Sequence, residues 1–427
     1  LLASSPVDYA ALVQATRVHG TVYTDPAIFD SEMRVIWHDG WVYVGHESEV
    51  AAPGDRVLKQ LGLEPVIMSR HEDGNVYLLL NRCPHRANKV CDVEREHSAR
   101  IRCPYHGWTF NGRGDLLAVP YGNGYGSDFE RGDLNLARVP RVESYRGFVF
   151  GSLAPDGITL REHLGNAAES LDRLSDLSPQ GEVELGHGWM KHRYQANWKL
   201  VVENQVDGYH LHFTHQSFFK SYSSPEKPYK DGVDYAEGGS LVRVVDLLDG
   251  HSELDYRAEY RRTQRGFQWF GGIEDEKIAG YKAAMEASYG ADLAWKRAVD
   301  GPPHTMIFPN LFLAELNVAT IQPISVGKSS LYTTPVFLKG APEINARVIR
   351  RCEGAMGPAG ALLADDAEMS ERNQRGLAAG SPEWITLSRG LEREGVTEDG
   401  FACSNVTDET PQRGIWRHYR DVMSAAC

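Results

Sequence analysis

The chain has 427 residues, 42% hydrophobic and 24% charged, with 45 basic against 58 acidic side chains and a net charge of −13. This length supports a sizeable core divided over two domains, and the acidic balance, with no basic cluster interleaved with aromatics, argues against a nucleic-acid partner. No apolar run is long enough to span a bilayer, and the opening LLASSPVDYAALVQATRVHG lacks a basic leader segment, so the expectation is a cytoplasmic protein without a membrane anchor.

In chain order, residues 36–154 carry short β-rich runs, VIWHDGWVYVG, VIMSR, NVYLLLN and RGFVFGSL, separated by Gly, Pro and Asp turn signals. They read as a small antiparallel β module. The segment YGNGYGSDFERGD reads as a surface loop, since no helix clearly follows it. From residue 155 to 427 the character changes. LREHLGNAAESLDRLSDL and EKIAGYKAAMEASYGADLAWKRAV have helical periodicity, whereas SLVRVVDLL, HTMIFPNLFLAELNVATIQPI and SSLYTTPVFLKG read as longer strands. This second part is α+β.

Six cysteines in so long a chain do not make a disulfide framework. Cys91, Cys352, Cys403 and Cys427 read as buried or incidental thiols. The other two stand in CPHRANKV and CPYHGWTF, so that Cys83 and His85 fall in one loop of the β module and Cys103 and His106 in the next. A structural zinc site with two Cys and two His is one reading. Zinc patterns pair Cys with Cys and His with His along the chain, however, and here each loop is mixed. A Rieske [2Fe–2S] centre, with two thiolates on one iron and two imidazoles on the other, suits that pattern better.

A second constellation lies in NWKLVVENQVDGYHLHFTH. On a regular helix Asp207 would share a face with His210 and could orient its ring. His210 and His215, five apart, would not share one, so they can ligate a single ion only where the helix is distorted or ends. His212 is a less favoured alternative. Two imidazoles and a carboxylate make a facial triad that leaves open positions on a ferrous ion. The carboxylate candidates are Asp365 and Asp366 in GPAGALLADDAEMSERNQRGL, for which helix capping is the competing explanation.

With these motifs the chain resembles the large (alpha) subunits of Rieske non-haem iron aromatic-ring-hydroxylating oxygenases. The similarity runs from WVYVGHESEVAAPGDR through both Cys/His loops and ANWKLVVENQVDGYHLHFTHQSF to GPAGALLADD and QRGL. It implies that Cys83 and Cys103 bind one cluster iron and His85 and His106 the other. It also implies that His210, His215 and Asp366 bind the mononuclear Fe(II), and that Asp207 bridges the two centres. The implied fold is an antiparallel β Rieske module inserted in a helix-grip α+β catalytic domain, whose N-terminal part is residues 1–35.

The resemblance further implies electrons from NADH through a separate reductase or ferredoxin, with O2 and an aromatic molecule as substrates. A homotrimer is implied, with or without a small beta subunit. The absence of a Gly-x-Gly-x-x-Gly dinucleotide fingerprint agrees with an external electron supply. For the aromatic pocket the candidates are Asn204, Phe308, Leu316 and Leu362, with Arg413 in TPQRGIWRHYR as an anchor for a substrate carboxylate; LNVATIQPI carries no cation. The expected reaction is cis-dihydroxylation or hydroxylation. Monooxygenation or demethylation, a plain iron–sulfur electron carrier and a zinc protein are the alternatives.

Overall fold

The structure is a computed structural model and describes residues 7–126, 128–221, 240–263 and 275–426. It divides into two compact units. One comprises Trp37–Leu160 with Glu184–Gly186, and the other Leu1–Ile36, Arg161–Val183 and His187–Cys427. Cys427 lies outside the described residues; Cys83, Cys91, Cys103, Cys352 and Cys403 are free thiols.

The smaller unit is built of three antiparallel sheets. Asp55–Leu61 and Glu64–Arg70 form a hairpin closed at Gly62, whose φ of 58° suits a residue without a Cβ. Val76–Leu80 and Arg95–His97 flank that pair to complete four strands. Phe148–Ser152 runs between Arg141–Tyr145 and Val42–His46. Arg100–Arg102, Thr109–Asn111 and Leu116–Ala118 make the third sheet. The expected strand VIWHDGWVYVG is corrected in its first half, because Val35 ends the helix Pro26–Val35, begun by Asp25 capping Ala27 and by Pro26 in the first turn.

The larger unit is organised on one nine-stranded antiparallel sheet. Its spatial order is Met190–Tyr194, Lys328–Pro335, Asn317–Ser325, Leu311–Ala314, His304–Ile307, His251–Asp255, Arg243–Leu248, Ala402–Asn405 and Gly395–Val396. The run expected as one long strand from His304 folds instead into three. Turns at Phe308–Asn310 and at Glu315, where φ is 60°, reverse the chain so that its apolar residues stack beside one another. EKIAGYKAAMEASYGADLAWKRAV likewise splits at Gly290 into the helices Ala279–Tyr289 and Ala291–Asp300.

The helix Trp198–Gln205 packs on the strand Asn317–Ser325 and against the helix Leu363–Leu377. Asn197 caps its start, accepting from the Lys199 amide. A buried carboxylate anchors it. Glu32 accepts from Lys199 Nζ at 2.6 Å, Trp198 Nε1 at 2.9 Å and Tyr419 Oη at 2.6 Å, joining the helix to Pro26–Val35 and to the last helix, Thr410–Ala425. Each partner offsets part of the cost of burying charge. No helix among the described residues is long and apolar enough to cross a membrane.

Candidate functional site

The two Cys/His loops are the same turn made twice. Cys83 N–H donates to Asn88 O at 2.8 Å while Ala87 N–H donates back to Cys83 O at 2.9 Å; Cys103 and Trp108 repeat the first bond at 2.8 Å, and Gly107 and Cys103 the second at 3.0 Å. The fourth residue after each cysteine is left-handed, Ala87 at φ 56° and Gly107 at φ 72°. Both sulfurs are thereby buried, while His85 is half-buried and His106 exposed.

The two rings lie 4.6 Å apart, with His85 stacked on Trp108 at 4.9 Å. Asn88 Nδ2 approaches Cys103 Sγ at 3.7 Å. Burial pushes the Cys83 thiol up, and the neighbouring Cys103 sulfur adds to the shift. Inward thiols and outward imidazoles suit a two-iron cluster. Among the described residues, His210, His215 and Asp366 alone form a group of three or more potential ligands gathered within 4.8 Å. The four loop residues are thus spread wider than one tetrahedral zinc would draw them.

That compact group forms because the helix stops. Trp198–Gln205 ends at Val206, and His210 then precedes a four-residue helix, Leu211–Thr214, which ends at His215 with φ −95° and ψ 25°. The break brings the two imidazoles together at 5.2 Å despite their spacing. Asp366 sits in the first turn of Leu363–Leu377, which has no side-chain cap, so the competing capping explanation does not describe it. Its Oδ1 lies 3.3 Å from His210 Nε2 and 3.1 Å from His215 Nε2. Burial alone would raise this carboxyl, but the two histidines hold it down at about 2. Burial would likewise depress His210, yet Asp207 and Asp366 raise it to about 10. Two imidazoles and a carboxylate in this geometry suit a divalent iron.

Asp207 acts from a turn rather than from the helical face expected for it. Its Oδ1 accepts from Tyr209 N at 2.6 Å and His210 N at 3.3 Å, and its Oδ2 stands 3.7 Å from His210 Nδ1, an electrostatic contact longer than a hydrogen bond. His215 has a counterpart that the sequence did not point to: Asp365 Oδ2 lies 3.4 Å from its Nδ1. Adjacency to Asp366 was the available signal. Tyr194, buried on the sheet's edge strand, also feels the Asp366 charge, which together with burial raises its phenol.

The pocket candidates are dispersed. Asn204 Nδ2 reaches Asp366 Oδ1 at 3.5 Å, and Leu362 precedes the Asp366 helix, its carbonyl accepting from Asp365 and Asp366. Phe308 instead packs between Trp198 and His418, and Leu316 is core, its carbonyl holding Val336. Arg413 is placed in a structural role. It is 8% exposed, and its guanidinium donates to Leu387 O, Arg389 O, Thr410 Oγ1 and Glu394 Oε2, the last at 2.5 Å. Those donors are committed to holding the chain together, which corrects the substrate-anchor expectation.

Comparison with known proteins agrees with this geometry. The family model described as "Ring hydroxylating alpha subunit (catalytic domain)" matches residues 182–425, and the Rieske [2Fe-2S] domain model matches residues 40–140. The chain is 31% identical over 388 residues to the 2-halobenzoate 1,2-dioxygenase large subunit of Burkholderia cepacia, covering 88% of this chain and 80% of that one. It is 28% identical to the large oxygenase component of the naphthalene 1,2-dioxygenase system of a Ralstonia species, covering 98% and 94%. A solved naphthalene 1,2-dioxygenase with indole in its active site superposes with a TM-score of 0.80 at 24% identity, covering 98% and 95%, which speaks for the fold alone. Taken with the paired Cys/His turns and the His–His–Asp group, the match establishes that this chain belongs to the ring-hydroxylating oxygenase alpha subunits, terminal oxygenase components that carry a Rieske [2Fe–2S] cluster and a mononuclear non-haem iron.

Proposed function

We propose that the chain dihydroxylates an aromatic ring, adding both atoms of O2 as a cis-diol. The carrying observation is the convergence of His210 Nε2, His215 Nε2 and Asp366 Oδ1 within 4.8 Å, a three-ligand set that covers one side of an ion and leaves the other side for substrates. Relatives of 28–31% identity include dioxygenase large subunits for 2-halobenzoate and naphthalene, which supports two-atom addition over one.

In this reading the protein's groups position rather than react. His210, His215 and Asp366 hold the ferrous ion, which when bound supplies dioxygen activation with electrons from the cluster. Asp207 fixes the His210 ring and Asp365 the His215 ring, as outer partners of metal-bound histidines do. Cys83 and Cys103 would hold one iron of the cluster, and His85 and His106 the other. Electrons come from NADH through a reductase, with or without a ferredoxin. The enzyme works in the cytoplasm as a homotrimer in which Asp207 meets the cluster side of a neighbouring copy.

The substrate is an arene held mainly by apolar contact, since Arg413 is committed elsewhere. The test is turnover under isotopically labelled dioxygen after analysis for about three irons and about two acid-labile sulfides per chain. A product carrying both labelled atoms is expected. A single labelled atom would establish monooxygenation instead, and the cluster without the third iron would establish an electron carrier. Light scattering on the loaded protein should give the mass of three chains.

A further inference from the structure

A cavity of about 500 Å³, to which no iron ligand contributes, is lined by the helix that precedes His210 and by the C-terminal half of the helix that carries Asp366. Leu200 and Glu203 from Trp198–Gln205 and Arg372, Asn373, Gly376 and Leu377 from Leu363–Leu377 form one side. His19, Thr21 and the segment Gly380–Ile385 form the other. Trp384 supplies an aromatic wall, with the His19 ring edge-on at 5.1 Å and the Arg17 guanidinium 4.2 Å from the centre of its ring. A volume of this size holds a small organic molecule.

Glu203 contributes a carboxyl group to the cavity lining. Glu203 Oε1 accepts from Tyr23 Oη at 2.7 Å and from Trp416 Nε1, whereas Oε2 has no hydrogen-bond partner among the described residues. Glu203 is half-buried and lines the cavity rather than lying sealed in the core. Burial raises this carboxyl to about 7, against the lowering pull of Tyr23, Trp416 and Lys199, so its ionised form stands under-compensated. The nearby cations are committed: Lys199 pairs with Glu32 at 2.6 Å, and Arg372 with Glu368 at 2.7 Å. Glu383, exposed and 3.9 Å from His19 Nε2, adds a second carboxylate.

We infer that this cavity binds an organic ammonium ion, its N–H groups on Glu203 Oε2 and its apolar body against Trp384, Leu200 and Leu377. A charge-assisted hydrogen bond supplies what the carboxylate lacks, and the aromatic wall selects an arene- or alkyl-bearing amine over a bare cation. The occupant would touch the helix that carries Asp366 and the helix that precedes His210, and so act as an effector of the iron site.

The test uses calorimetry on the metal-loaded protein with benzylamine as probe and benzyl alcohol, of the same shape without the charge, as control. Benzylamine should bind with a stoichiometry near one per chain and at least about tenfold more tightly than the alcohol. Glu203→Gln, which keeps an acceptor for Tyr23 and Trp416, should remove that preference. Gly376→Phe should block binding while leaving Glu203 intact, because a Cβ there meets nothing within 4 Å and a larger ring extends into open space. Equal binding of amine and alcohol, no saturable benzylamine binding, or benzylamine binding unchanged in either variant would overturn the assignment. None of these readouts depends on arene oxidation, so the oxygenase reading stands or falls separately.

Discussion

His215 is gripped at both ring nitrogens by consecutive aspartates: Asp366 at 3.1 Å from Nε2 and Asp365 at 3.4 Å from Nδ1. The two carboxylates face the same imidazole from opposite sides because they leave one helical turn in different directions. Their replacement should therefore have unequal effects. Asp366→Ala should abolish mononuclear iron binding and turnover while keeping the cluster spectrum. Asp365→Ala should keep the iron but weaken its affinity by about tenfold to a hundredfold, read by competition with a chelator. Equal iron loss in both variants would refute the division of labour.

The twin loops make a spectroscopic prediction. Cys83→Ser should bleach the visible absorption and the rhombic paramagnetic signal of the reduced cluster, yet leave mononuclear iron near one per chain, since His210, His215 and Asp366 belong to the other compact unit. Loss of both metals together would contradict independent sites. A colourless wild-type protein that fills with zinc would contradict the cluster itself.

Asp207→Asn should separate structure from electron transfer. The amide oxygen can still accept from Tyr209 and His210, so the turn and both metals should persist. The lost charge beside His210 should slow reoxidation of the reduced cluster by about a hundredfold or more, followed by stopped-flow absorbance with substrate and dioxygen present. A rate near that of the wild type would exclude Asp207 from the route.

Arg413→Met should destabilise the fold by about 1–3 kcal/mol, because it leaves the Leu387 and Arg389 carbonyls without their donor and Glu394 without its partner. Thermal unfolding should show the loss. The relative kcat/KM of benzoate and toluene should not move; a selective fall for benzoate would restore Arg413 as a substrate anchor.

Glu203 sets a pH dependence. Its folded pKa of about 7 lies above the ordinary carboxylate value, so the folded state holds the proton more tightly than the unfolded chain. The associated stability is fully present below about pH 4.5 and is lost as pH rises through 7, by at most about 3 kcal/mol. Glu203→Gln should therefore raise the unfolding midpoint at pH 8 relative to the wild type and flatten its slope between pH 5 and 8. A parallel shift at every pH would mean that the carboxyl does not titrate in this window.

What could be read from the sequence was local. Cys83, His85, Cys103 and His106 declare themselves because each loop holds its ligand types within four residues, and a turn that short fixes their geometry. His210 and His215 were visible as a pair, but the helix break that joins them was only inferable as a requirement. Asp366 came through resemblance, since it approaches His215 from 151 positions along the chain and no short-range pattern marks it. Arg413 misled because its place in TPQRGIWRHYR says nothing about carbonyls folded over from Leu387 and Arg389. The partners of Glu203 lie 180 and 213 positions away, beyond any periodicity. The strand run beginning at His304 hid its turns because Pro309–Asn310 and Glu315 mark them only briefly between long apolar stretches.

The wide separation of the iron ligands along the chain gives the ion a mechanical part. His215 and Asp365 are 150 residues apart, and Asp366 stands next to the latter. An ion held by His210, His215 and Asp366 is thus a clasp that closes a very long loop, and a clasp of that span restricts the unfolded chain as much as it secures the folded one. Chelation should then lower the unfolding temperature of the larger unit and leave the smaller one unchanged, while ferrous ion added back should restore it in proportion to occupancy.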